Sequence, residues 1–75
     1  MEKHQFRQLL AERLIELRKE KKLLQKQVAQ KISVKTPCYS AYEQGRAEPS
    51  LRILKRLCEF YGVELSEMVR VGVGK

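Results

Sequence analysis

The sequence predicts an all-α domain, and three observations carry that prediction. Apolar residues recur at helical spacing: Phe6, Leu10, Leu14 and Leu17 fall at i, i+4, i+8 and i+11, and Leu51, Leu54, Leu57, Cys58 and Tyr61 trace a second such stripe. Helix starts and stops punctuate the chain, with Thr36-Pro37 and Pro49-Ser50 ahead of apolar runs and Gly45 and Gly62 behind them. Strand-like alternation is confined to the stretch VRVGVG near the C-terminal end. The 75 residues hold apolar material for one core. A compact bundle of about five short helices is therefore expected over residues 1–69, with residues 70–75 as a flexible tail or a contact for a second copy.

The first helix is expected from about residue 4 to residue 21 or 22. Its last turn gathers Arg18, Lys19, Lys21 and Lys22, where cations meet the partial negative charge of the helix end. The second helix starts at Gln25, and Val28, Ala29 and Ile32 form its apolar side. Ser33 and Val34 interrupt the pattern. Thr36, as an N-cap whose hydroxyl accepts from a free backbone N–H, followed by Pro37 in the first turn, opens a third helix near residues 35–37. Tyr39 and Tyr42, three apart, point inward together and leave Lys35, Thr36, Ser40, Ala41 and Gln44 outside until Gly45 ends the helix. Residues 46–49 form a loop, Ser50 caps a fourth helix, and Gly62 stops it. Val63 and Leu65 return to the core, and residues 66–69 add a short fifth helix.

Two short helices joined by a turn of three or four residues make residues 25–45 a helix-turn-helix unit, whose second helix can enter a DNA major groove. The run LRKEKKLLQKQVAQKISVKTPCYSAYEQGRAEPSLRILKRLCEFYGV resembles the DNA-binding domain of the Cro and phage-repressor class of regulators, the XRE-like family with its lambda-repressor-like bundle. Arg18, Gln25, Val28, Ala29, Ile32, Tyr42, Glu43, Gly45, Pro49, Leu54 and Gly62 are among the matching positions, which spread over roughly two thirds of the chain. Two positions depart from the family pattern. Leu24 stands where Ser or Thr usually caps the second helix, and Ser33 stands where Gly is common in the turn.

The resemblance implies that Gln25, Gln44 and Arg46 hold the DNA backbone, and Lys22, Lys26 and Ser40 join them as expected phosphate contacts. It also implies an ion pair between Arg18 and Glu43. Residues at the start of a recognition helix project deepest into the groove, so Lys35 and Thr36, with Ala41 one turn on, are the expected base readers. Lys35 can donate to guanine O6 and N7; Thr36 and Ala41 can touch the thymine methyl. Thr36 carries a competing expectation, since a capping hydroxyl would be occupied.

Sixteen Lys plus Arg against nine Glu, with no Asp, give a net charge of +7, which suits a polyanionic partner such as double-stranded DNA. No apolar run approaches the roughly 20 residues of a membrane span. The N-terminal segment MEKHQFRQLL mixes charges into its apolar residues and reads as neither a secretory nor a transit signal. Cys38 and Cys58 fall in different settings and suggest no disulfide framework and no metal site, which fits a reduced cytoplasmic protein. The lone His4 and the absence of clustered carboxylates leave no nucleophile and base arrangement, so no enzyme and no cofactor is expected. The terminal GVGK lacks the length and following helix of a phosphate loop.

The leading expectation is a sequence-specific regulator, most simply a repressor, that binds a symmetric operator as a homodimer with its seam in residues 64–73, the extended N-terminal helix being the other candidate for the seam. Val69, Val71 and Val73 are the apolar residues of that seam. The alternative is an antitoxin-like or antagonist module that acts through a protein partner, since Pro37, Cys38 and Ala41 offer few hydrogen bonds to base edges.

Overall fold

The structure, a computed structural model, describes residues 3–68, with side chains from Gln5 onward. Five helices follow in order: α1 (Lys3–Glu20), α2 (Gln25–Lys31), α3 (Thr36–Glu43), α4 (Leu51–Tyr61) and α5 (Leu65–Met68). Among the described residues there is no strand. The fold is an all-α helix-turn-helix bundle, with α2 against α3, α1 against both α3 and α5, and α4 against α5.

One apolar core joins all five helices. Leu10, Ala11, Leu14 and Leu17 line the inner side of α1, Val28 and Ala29 that of α2, Tyr39 and Tyr42 that of α3, and Leu54, Leu57, Cys58 and Tyr61 that of α4. Each large side chain removed from water contributes about 1.5–3 kcal/mol of transfer free energy. Phe6, at the outer end of the α1 stripe, packs against this core and is only partly buried. Tyr39 and Tyr42 meet edge to face with ring centroids 6.2 Å apart.

Two residues expected in the core lie outside it. Leu51 is 72 % exposed and Leu65 45 % exposed. Steps of three residues drift round a 3.6-residue helix, which carries Leu51 about 70° from the centre of the stripe formed by Leu54, Leu57, Cys58 and Tyr61. The fifth helix begins at Leu65 rather than residue 66, because Glu64 starts it: the Glu64 N–H donates to Glu67 Oε1 at 3.1 Å. Met68, only 1 % exposed, is the residue of α5 that fills the core. The expected end of this helix at residue 69, and the rest of the seam from residue 69 on, lie outside the described residues.

The first four helices stop alike, each on a residue in the left-handed conformation: Lys22 (φ 57°), Ser33 (φ 62°), Gly45 (φ 73°) and Gly62 (φ 70°). After each, the next N–H turns back onto a carbonyl of the last turn, as in Leu23 to Arg18, Val34 to Ala29, Arg46 to Ala41 and Val63 to Cys58. α1 is thereby shorter than the sequence suggests, ending at Glu20. Glycine adopts this geometry freely, whereas Lys22 and Ser33 bear a Cβ there at about 1–2 kcal/mol. The turn between α2 and α3 is formed nonetheless. Arg56 supports it from α4, donating through Nη1 to the Ile32 carbonyl at 3.1 Å.

Candidate nucleic-acid interface

The start of α3 is presented to solvent. Lys35, extended at φ −76° and ψ 149°, is its N-cap residue and no side chain caps it; Thr36 and Pro37 are the first two helical residues. The expected capping role of Thr36 is thus corrected. The helix begins one residue earlier than that role requires, and the Thr36 hydroxyl sits on an exposed residue beside exposed Lys35. A cleft of about 500 Å³ between α2 and α3 is lined by Lys26, Gln30, Val34, Lys35 and Thr36, so two cations and a hydroxyl from the expected set share one depression. Ala41 is half-buried, one turn along α3.

The far end of α3 carries a second group. Gln44 Nε2 donates to Ser40 Oγ at 3.2 Å, and Arg46 Nε donates to Gln44 Oε1 at 2.6 Å, which lines the three side chains along one edge of the helix. Gln44 and Arg46 are exposed and Ser40 is half-buried. Gly45 lets the chain turn between them. A Cβ at Gly45 would stand 3.5 Å from Gln8 Oε1 and 3.7 Å from the Arg7 carbonyl of α1, and Arg7 in turn pairs with Glu48 at 3.0 Å across the following loop.

Behind this surface lies a buried polar cluster. Glu43, 5 % exposed, accepts from Arg18 Nε at 2.6 Å and Arg18 Nη2 at 3.0 Å in a two-pronged pair, and from Gln25 Nε2 at 2.9 Å. Arg18 Nη1 also donates to the Leu23 carbonyl at 2.8 Å. Burial by itself pushes the Glu43 carboxyl up, but hydrogen bonds from Arg18, Tyr39 and Gln25, with the guanidinium charge, outweigh it and hold the group below its ordinary range. The same pair, despite burial, raises Arg18 further. The Tyr39 and Tyr61 hydroxyls meet at 3.1 Å, and burial pushes both phenols up. Tyr42, pushed up to about 12 by burial and by the thiol of Cys38, accepts from Cys38 Sγ at 3.3 Å. Cys38 is exposed and Cys58 buried.

Residues 14–68 match the helix-turn-helix family model, a span that covers α2 and α3 and the helices that brace them. The chain belongs to the XRE-type helix-turn-helix family. It is 38 % identical over 61 residues to the cryptic phage CTXphi transcriptional repressor RstR of Vibrio cholerae, an alignment covering 81 % of this chain and 55 % of the relative. It is 34 % identical over 62 residues to the uncharacterized HTH-type transcriptional regulator YqaE of Bacillus subtilis, covering 83 % and 53 %. It is also 38 % identical over 60 residues to the HTH-type transcriptional regulator DdrOP3 of Deinococcus deserti, covering 80 % and 46 %. The chain thus spans about half the length of these XRE-type relatives. No solved structure matches it.

Among the residues proposed for an XRE-type surface, the structure brings Lys26, Lys35 and Thr36 together at one end and Ser40, Gln44 and Arg46 at the other. Gln25, which directly precedes Lys26 at the start of α2, is tied to Glu43. Sequence reasoning missed Arg56, whose contact with the turn spans 24 residues, and Arg7–Glu48, which spans 41. No periodicity or motif signals either contact. No described helix is long and apolar enough to cross a membrane.

Proposed function

We propose that this XRE-type domain binds double-stranded DNA sequence-specifically, with the start of α3 in the major groove, and regulates transcription as a cytoplasmic repressor. The observation that carries the reading is the exposed start of α3, capped by no side chain, where the exposed Lys35 and Thr36 line one cleft with Lys26. Lys35 and Thr36, with Ala41, read base edges; Lys26, Ser40, Gln44, Arg46 and Gln25 hold the backbone, where contacts position the protein without carrying sequence information. The net charge of +7 supports the same partner.

The domain acts as a homodimer on a symmetric operator. One short reading helix makes few contacts, and two of them fit half-sites about 34 Å apart. The outward-facing Leu51 and Leu65, which with Val63 and Cys58 line an apolar groove of about 390 Å³, support a seam on the side of α4 and α5. Selection of bound fragments from a random DNA pool tests this function. A palindromic site whose binding weakens steeply with salt is expected; absence of DNA binding at low salt would favour a module acting through a protein partner.

A further inference from the structure

We infer that Glu43, anchored by Arg18, is a positioning residue for DNA binding, which fixes the side-chain amide of Gln25 so that it offers an N–H to a phosphate oxygen. The inference rests on the DNA-binding reading above and assigns a task to the Arg18–Glu43 pair, which touches no DNA itself.

An ionised carboxylate accepts hydrogen bonds and donates none, so the Gln25 amide must turn its nitrogen toward Glu43 Oε1, 2.9 Å away. That settles which end of the amide is which. The nitrogen carries two hydrogens: one is taken by Glu43, and the other projects about 120° away in the amide plane. A phosphodiester oxygen also only accepts, and what it needs from glutamine is this second N–H. An untethered glutamine presents oxygen or nitrogen alike and gives up rotamer freedom, up to about 1.5–2 kcal/mol, when a ligand orders it. Holding the group beforehand removes that loss from the binding step.

The anchoring is rigid for a reason visible in the three elements it joins. Glu43 ends α3, Gln25 opens α2 and Arg18 lies in the last turn of α1, so a single carboxylate fixes the distance between the first residue of α2 and the reading helix. Arg18 cannot swing away, because its third nitrogen holds the Leu23 carbonyl just before α2. Gln25 is half-buried, next to the exposed Lys26 at the start of α2, so part of the residue stays accessible to solvent while Glu43 holds its amide.

The test is a double-mutant cycle on affinity for a mixed-sequence duplex at low salt, which suffices because backbone contacts are independent of sequence. Gln25→Ala should weaken binding by about 3- to 10-fold, the loss of one hydrogen bond. Glu43→Gln should weaken it similarly in the native background and add no further loss on top of Gln25→Ala. Losses that multiply overturn the inference. Should Glu43→Gln fail to fold, the native protein decides by NMR: one Gln25 side-chain proton exchanges slowly with water and its resonance follows the Glu43 titration. Two Gln25 protons exchanging as fast as those of exposed Gln5 would overturn it. Wild-type protein that shows the tether and yet binds no duplex would instead sink the DNA reading itself, and this inference with it.

Discussion

Glu43 and Gln44 are neighbours in the chain and end on opposite sides of α3, where similar polar side chains do different work. On the inner side, buried Glu43 accepts from the half-buried Arg18 and Gln25, with the Tyr39–Tyr61 pair alongside. On the outer side, Ser40 and the exposed Gln44 and Arg46 bond to one another. A buried charge left without its partner is costly, whereas an exposed hydrogen bond is readily replaced by water. The inner Arg18–Glu43 pair is therefore committed to the fold, and the outer group is free to exchange its partners for a ligand.

The largest effects should come from breaking the inner pair. Arg18→Ala and Glu43→Ala should each destabilise the domain by on the order of 3 kcal/mol, since either leaves a shielded charge alone. For a domain of this size that lowers Tm by about 12–24 °C. The double variant should lose less than the sum of the two, and urea denaturation measures the difference. Strict additivity would mean the 2.6 Å contact contributes no coupling.

Acid should act on the same side of α3. The folded-state pKa of Glu43 lies below its value of 4.5 in an unfolded chain, so the contribution is fully present above pH 4.5 and is lost as pH falls through the folded value. Urea midpoints measured from pH 7 downward should drop more for the native protein than for Glu43→Gln below pH 4.5. Parallel curves would contradict the linkage. Tyr39 and Tyr61, both raised, give the opposite limb: stability present below pH 10 and falling as pH rises above it.

Ser33 lies between the two scales. It is exposed, as Gln44 is, but its left-handed backbone carries a cost that glycine avoids. Ser33→Gly should raise stability by about 0.5–1 kcal/mol, read as a higher urea midpoint at unchanged slope. A loss would show that the Ser33 side chain contributes to the turn.

The helices were legible because their signals are local. Stripes at 3.6-residue spacing, Ser50 ahead of α4 and the glycines at 45 and 62 act within a few residues, and the structure has them where the pattern indicates. Leu51 and Leu65 were misread for a related reason: apolar character says a residue can be buried, while the angle round the helix decides whether it is. Thr36-Pro37 is a sound start signal displaced by one residue, since proline is as well tolerated at the second helical position as at the first. Leu24 lacks a capping oxygen, yet α2 still forms, with its backbone N–H satisfied by Gln27 Oε1 at 2.7 Å. The link from Gln25 to Glu43, 18 residues apart, and that from Arg56 to Ile32 depend on tertiary placement that no local pattern encodes.

The smallest effects on folding should belong to the outer side, and there the effects on DNA binding should be largest. Lys35→Ala and Arg46→Ala should each leave stability within about 0.5 kcal/mol of the native protein. The most direct measurement compares these two variants for affinity across a selected operator and its single-base variants, at several salt concentrations. Arg46→Ala should weaken binding to every sequence by the same factor and lower the salt slope by about one unit, while Lys35→Ala should relax preference at one base position of each half-site. If both lower affinity uniformly and to the same extent, Lys35 does not read bases and the start of α3 is not the reading surface.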